Sequence, residues 1–324
     1  MARSGIHPRY FKPDSMQHLD SLASLSLSES LVTIGIFDGV HLGHQSILHD
    51  IVRASRVTGD PSVVVTFYPH PALVLGKKKG PYYLTNPQER AELIAEQGVD
   101  YVITLYFDEQ LARVSADSFL ETLQSHLHFQ ALWAGENFAF GRNREGTVEY
   151  LEAARQQVGF EFFVIPPRYT GGKIVSSSRV REAVRQGDVA EAAECLGRPY
   201  AVSGEVIHGS SRGRSIGFPT ANLAFWEEQL IPRTGVYACK VDVGSDVFPA
   251  VVNIGQRPTF ESSSSAIHME AHLLDTSQDL YGKTIRVHFI KQIRAERKFS
   301  SVKELTQQIQ RDVQQAQGIF DPDL

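Results

Sequence analysis

His41 and His44 stand three residues apart in the run Asp38-Gly39-Val40-His41-Leu42-Gly43-His44. A β-branched stretch, 31–37, leads into that run, and 45–57 follows it with apolar residues at helical spacing. The spacing therefore places both imidazoles on one face of a helix start, with Cβ atoms about 5–6 Å apart. Free N–H groups and the helix dipole already favour anions there. Gly39 and Gly43 carry no side chain that could obstruct a ligand, so the segment reads as a cradle for a nucleotide's phosphates. It is neither a dinucleotide fingerprint nor a Walker loop, because no lysine follows. A helical zinc pair would stand at i, i+4 with a carboxylate nearby. His49, His70, His126 and His128 lack such surroundings and are expected on the surface or in packing.

A second constellation lies in the other half. Gly209, Gly213 and Gly217 recur every four residues ahead of Pro219-Thr220-Ala221-Asn222. Glycines let a backbone turn its N–H groups onto phosphates. The Thr220 hydroxyl and the Asn222 carbonyl are hard oxygen donors suited to Mg²⁺, two residues apart on one side of an extended strand. Downstream, Glu270 shares a strand face with His268 and His272. Opposite a metal–phosphate cradle, its carboxylate could accept the proton of an attacking alcohol.

Two regimes of elements must position these groups. Within 31–187, apolar runs at 31–37, 62–67, 101–107, 131–135 and 160–167 alternate with helical patterns, which predicts a parallel sheet covered by helices on both faces. Asn86-Pro87-Gln88-Glu89 marks one helix start as a capping box, and Gly98 marks its end. From 188 a short helix, capped by Asp188 with Glu191 and stopped at Gly197, leads into strands at 201–209, 235–244, 247–255, 268–275 and 283–294. Turns without helices between them predict an antiparallel sheet or small closed barrel. A last helix starts at the box Ser301–Glu304 and presents Val302, Leu305, Ile309 and Val313 as an apolar face. The expected domains are thus 1–187, Rossmann-like α/β, and 188–324, a small β-barrel with a terminal helix. The run Ser262–Ser265 is the single low-complexity patch and reads as a mobile loop, and the roughly 30 residues before the first strand receive no role.

Composition limits the function classes. The 324 residues exceed one ordinary domain, and 42% hydrophobic with 21% charged residues suit a globular enzyme. Acidic residues outnumber basic ones, 37 to 32, for a net charge of −5, so nucleic acid is not an expected partner. No apolar stretch reaches the roughly 18 residues of a membrane span, and the start lacks a secretory apolar region, so a cytoplasmic protein without membrane attachment is expected. Cys195 and Cys239 are too few and too far apart for a disulfide framework and read as buried thiols. A homo-oligomer stays open.

The string GIFDGVHLGH at 35–44 resembles the G-x-F-D-G-V-H-x-G-H motif of bacterial bifunctional riboflavin kinase/FMN adenylyltransferases, the FAD synthetases. Ser176-Ser177-Ser178-Arg179-Val180-Arg181 is similar to the family's S-S-T-x-I-R segment, with serine for threonine. The strings at 66–71 (TFYPHP) and 135–146 (GENFAFGRNREG) resemble segments bordering its flavin and adenine pockets. In the second half Pro219–Asn222 and NIGQRPTF at 253–260 resemble the riboflavin kinase domain, as do the segments from 197 to 312 around them. The resemblance implies phosphorylation of riboflavin to FMN with MgATP, then adenylylation of FMN by ATP to FAD and pyrophosphate. It implies Glu270 as base, with His41 and His44 acting by position and charge. Gly35, Phe37, Asp38, Gly39, Gly43, Ser176, Ser177, Ser178 and Arg181 would bind ATP for adenylyl transfer, and Phe67, Pro69 and Asn137 the flavin. Gly209, Gly213, Gly217 and Pro219 would bind ATP for the kinase, and Thr220 and Asn222 the Mg²⁺. Ile36, Asn137 and Thr276 depart from the family's commoner residues and bear on flavin affinity or the balance of activities. Two rivals stand beside this reading: a flavin-binding regulator without turnover, opposed by the intact motifs, and an enzyme adenylylating another phosphorylated metabolite, opposed by the kinase-like half.

Overall fold

The computed structural model describes residues 16–209, 217–257, 266–274, 276 and 278–321. Gly213 and the Ser262–Ser265 run lie outside the described residues. Packing divides the chain into two units, Met1–Lys79 with Thr85–Val175, and Gly80–Leu84 with Ser176–Leu324.

The first unit is a sheet of six parallel strands: β1 (Gln17–Leu19), β2 (Ser30–Ile34), β3 (Ser62–Tyr68), β4 (Tyr101–Tyr106), β5 (Phe129–Gly135) and β6 (Glu161–Ile165), in the order β1-β4-β3-β2-β5-β6. Alternate residues of the central strands feed opposite layers. Val32, Ile34, Val63 and Val65 pack with Phe119, Leu120 and Leu123 of α4 (Ala116–Leu127) and Leu151 of α5 (Val148–Val158). Leu31 and Val64 pack with Leu48, Ile51 and Val52 of α1 (Leu42–Thr58) and with Leu93 and Ile94 of the next long helix, Pro87–Ala95. Strands buried on both faces read as unbroken apolar runs, as the sequence does. The sixth strand, β1, comes from the segment given no role, where three residues join β4 edge to edge. From β2 the chain moves to β3 on one side and later to β5 on the other, so the end of β2 is a switch point where a crevice opens.

Helix punctuation follows the chemistry. A short helix α2 (Pro71–Val74) is capped by His70, whose Nδ1 accepts from the Ala72 N–H. The Pro87–Ala95 helix, α3, carries the complete Asn86/Glu89 box. A hairpin of β7 (Tyr169–Thr170) and β8 (Lys173–Ile174) ends the first unit.

In the second unit α6 (Ser177–Gln186) and α7 (Val189–Leu196) precede a closed antiparallel barrel of β9 (Tyr200–Ile207), β10 (Ala221–Phe225), β11 (Gly235–Val243), β12 (Asp246–Arg257), β13 (Ala266–Leu273) and β14 (Thr284–Ala295). β10, the extended stretch through Asn222, closes the ring between β9 and β13. Alternation fills the lumen with Val202, Val206, Leu223, Cys239, Val252, Met269, Ala271 and Val287, all buried. Burial pushes the Cys239 thiol pKa up, and Cys195 is buried as well. A packed lumen sends the out-of-phase residues, Asn222 and Glu270 among them, to the outer surface.

α8 (Val302–Phe320) covers part of that surface, setting Val313, Ala316, Ile319 and Phe320 against Val236, Ala238, Val251 and Leu274. The apolar face therefore begins later than its spacing predicts: Val302 is 64% exposed, because burial falls on the helix's C-terminal half. Ser301 caps α8, while the Glu304 carboxylate reaches the Ser300 N–H. Asp312, 2% exposed, takes three hydrogen bonds from Arg294 of β14 and one from Gln308.

Candidate functional site

The loop leaving β2 is held in uncommon backbone geometry. Phe37 (φ 51°) and Val40 (φ 41°) adopt left-handed conformations, which are costly for a β-branched residue, and Gly39 does so at φ 79°. Surrounding groups lock this turn. The Asp38 carboxylate accepts from the Thr85 N–H and hydroxyl, and the Gly39 N–H donates to Thr85 Oγ1. Arg90 of α3, 1% exposed, donates to the Ile36 carbonyl and, through its other terminal nitrogen, to the Phe67 carbonyl. Thr66 also donates to Ile36.

This loop delivers His41 to the N-cap of α1, where its Nδ1 accepts from the His44 N–H at 3.3 Å. That bond fixes Nε2 as the nitrogen that can donate outward from the neutral ring. The two imidazoles stack, centroids 3.6 Å apart and 17° from parallel. The structure thus brings together the pair expected on one helix face. Gly43 has a different reason from the one its spacing suggests: a Cβ there would stand 3.1 Å from His41 Cε1, so its smallness admits the His41 ring itself. Gly35 likewise admits the Phe37 ring, which is buried in the core beside His44. Asp38 and Phe37 are thus buried supports of the turn.

Phe67, at the end of β3, meets Phe107 and Phe119 edge-on or tilted at about 6 Å, and Phe119 continues to Phe140 and Phe138. Tyr150 adds its edge to Phe140 and donates to Asp117; burial first, then that carboxylate, raises its phenol pKa. Pro69 follows a cis peptide and is half-buried, and Asn137 is exposed with its carbonyl bonded by Arg144.

In the second unit, Ser176 caps α6 by accepting from the Arg179 N–H, with Ser177 and Ser178 in the first turn. Arg181, 3% exposed, donates from Nε to the Tyr82 carbonyl, and its guanidinium lies 3.9 Å over the Tyr82 ring. These contacts pack Arg181 against Tyr82.

On the barrel, register sets Asn222 directly opposite Glu270, and Glu270 directly opposite Asn253. Cross-strand pairs of this kind hold Cβ atoms about 4.5–5.5 Å apart, so an amide, a carboxylate and a second amide form one outward row. Asn222 packs over Gly209, where a Cβ would fall 2.1 Å from its amide nitrogen. This is the close backbone approach that requires glycine. Gly217 takes φ 89° in the lead to β10. Thr220 and Pro219 precede that strand, with the Pro219 carbonyl bonded by His272.

Comparison with known proteins decides what the two constellations have in common. The FAD synthetase family model matches residues 24–179, and the riboflavin kinase model matches 196–320. The bifunctional riboflavin kinase/FMN adenylyltransferase of Escherichia coli K12 is 40% identical over 90% of this chain and 92% of its own. That of Bacillus subtilis is 37% identical over 94% and 96%. The chain belongs to the bifunctional riboflavin kinase/FMN adenylyltransferase family. Among solved structures, one described as a macrolide-efflux protein from Streptococcus pneumoniae aligns with TM-score 0.84 at 31% identity, over 93% of this chain and 98% of that one. Among the described residues no helix is long and apolar enough to cross a membrane.

Two residues of this family member escaped sequence reasoning. Arg90 had a signal, a charge on the apolar face of α3 one turn before Leu93 and Ile94. Asn253 was visible within NIGQRPTF, but its place beside Glu270 needed the register of β12 on β13.

Proposed function

We propose that the two activities of this bifunctional riboflavin kinase/FMN adenylyltransferase fall to separate residue sets, with residues 1–187 serving adenylyl transfer and 188–324 the kinase. The observation that carries the kinase assignment is the register-fixed row of Asn222 and Glu270 on the outside of a barrel whose lumen is filled. Glu270 accepts the proton of riboflavin's ribityl 5′-hydroxyl as that oxygen bonds to the γ-phosphorus of ATP and ADP departs. Gly209, Gly217 and Pro219 line the nucleotide's approach, and Gly213 is assigned with them from the sequence.

Thr220 and Asn222 suit Mg²⁺: two neutral oxygen donors beside a nucleotide leave the remaining positions to phosphates and water, as this ion prefers. Bound there, the cation would neutralise charge on the transferring phosphoryl group. Among the described residues no cluster of three His, Cys, Asp or Glu side chains offers an all-protein metal cage.

For adenylyl transfer, an FMN phosphate oxygen attacks the α-phosphorus and pyrophosphate leaves, with no covalent enzyme intermediate. His41 and His44 position and offset charge at the phosphates, supported by Gly35, Asp38, Gly39, Gly43 and the backbone of Phe37. Ser176, Ser177, Ser178 and Arg181 are assigned to the same nucleotide, and Phe67, Pro69 and Asn137 to the flavin.

Glu270→Ala should lower FMN formation from riboflavin by about 10²–10⁴-fold and leave FAD formation from supplied FMN intact. His41→Ala with His44→Ala should do the reverse. Chromatographic time courses of riboflavin, FMN and FAD check both, and equal loss of the two activities in either folded variant contradicts the division.

A further inference from the structure

The ladder between β10 and β13 runs through the pairs Leu223 with Met269, Asn222 with Glu270 and Ala221 with Ala271, and stops there. The next pair in register would set Thr220 against His272. In its place a side chain takes over: His272 Nδ1 lies 2.8 Å from the Pro219 carbonyl oxygen. The same ring meets Phe218 edge-on, centroids 5.5 Å apart at 81°. His272 therefore grips the two residues immediately before Thr220 from a position two residues beyond Glu270 on the same strand face.

We propose that His272 is a positioning residue for the kinase step: it clips the lead-in of β10 to β13 and so sets the Thr220 hydroxyl relative to Glu270. This rests on the assignment of Thr220 and Glu270 to phosphoryl transfer. A carbonyl oxygen only accepts, so Nδ1 must carry the proton, and the bond is lost when nothing donates from that place. Proline fixes its own φ, so holding Phe218 and the Pro219 carbonyl determines where Thr220 stands as the chain enters the strand. Asn222, two residues further in, is held by the ladder and by Gly209; Thr220 lies outside that ladder. Groups that orient a metal-binding side chain from behind change metal affinity or activity by about 10–100-fold when removed.

Side-chain isosteres test this in the full-length protein. The Asn amide nitrogen can stand where His Nδ1–H stands, whereas Gln places its amide farther out, near Nε2. FMN formation is measured at varied Mg²⁺, MgATP and riboflavin for His272→Ala, His272→Asn and His272→Gln, with FAD formation from supplied FMN as the check of folding. For His272→Ala the Mg²⁺ concentration giving half-maximal rate should rise about 10–100-fold, with the KM for riboflavin within about twofold. His272→Asn should recover most of this loss, and His272→Gln should behave as Ala does. Unchanged Mg²⁺ dependence in the Ala variant, or equal behaviour of Asn and Gln, overturns the proposal; should the Ala variant fail to fold, the Asn–Gln ranking alone decides. Glu270→Gln is assayed in parallel. Full FMN formation in that variant would defeat the kinase assignment itself, whatever the His272 series does.

Discussion

Gly43 sits under an imidazole, and that contact is testable. A Cβ at 3.1–3.2 Å from the His41 ring makes that ring give way by a few tenths of an ångström, which strains its stack with His44 and its bond to the His44 N–H. Gly43→Ala should therefore cut FAD formation by up to about tenfold, a fraction of the roughly 10²-fold that a full 1 Å displacement at a reacting site costs. The weakened cap adds at most about 1 kcal/mol of destabilisation. FMN formation should be unchanged, which separate rate measurements on the purified variant would show. At this scale the two histidines were legible because i, i+3 spacing at a helix start dictates a shared face. The purpose of Gly43 was not, because a missing side chain looks the same whether it admits a ligand or a neighbour. Arg90 and His272 act by donating to backbone carbonyls distant in sequence, and no local pattern encodes those partners.

Elements were readable where their ends carry chemistry. The box at Asn86 and the caps at Ser301 and Asp188 appear as hydrogen bonds, whereas Glu304 reaches the Ser300 N–H and leaves the second half of the Ser301 box unmade. β1 was hidden because three residues carry too little periodicity to announce a strand; its pairing with β4 comes from the sheet's open edge. The final helix shows a different limit. Spacing gives a stripe, but the partner surface decides which part is buried, and Val302 lies beyond it. What fastens α8 is also charge: Asp312 is buried against Arg294 and Gln308. Removing one partner of a buried pair costs about 3–5 kcal/mol because the other is stranded. Asp312→Ala should show a loss of that size in urea unfolding followed through the second unit, while Asp312→Ala with Arg294→Met should recover part of it.

Across the whole molecule, the alternation of strand and helix followed by strands alone announced two architectures, and both are present. The five residues Gly80–Leu84 were not foreseen as part of the second. In the structure Tyr82 and Tyr83 donate to the Glu228 carbonyl, Leu230 donates to the Tyr83 carbonyl, and Tyr83 packs at a tilt against Trp226 with 1% of its surface exposed. Tyr83→Ala should cost about 3 kcal/mol. The second unit's thermal midpoint, followed by kinase inactivation, should then fall by roughly 6–12 °C.

That borrowed pentapeptide bears on any attempt to divide the gene. A single cut between Val175 and Ser176 would send residues 80–84 away with the wrong half. The amino-terminal product would carry two tyrosines and a leucine with no home, a greasy tongue inviting precipitation. The carboxy-terminal product would leave Arg181 and Trp226 without the ring each lies against. An autonomous kinase fragment therefore needs a replacement for that tongue, grafted at its start or supplied in trans.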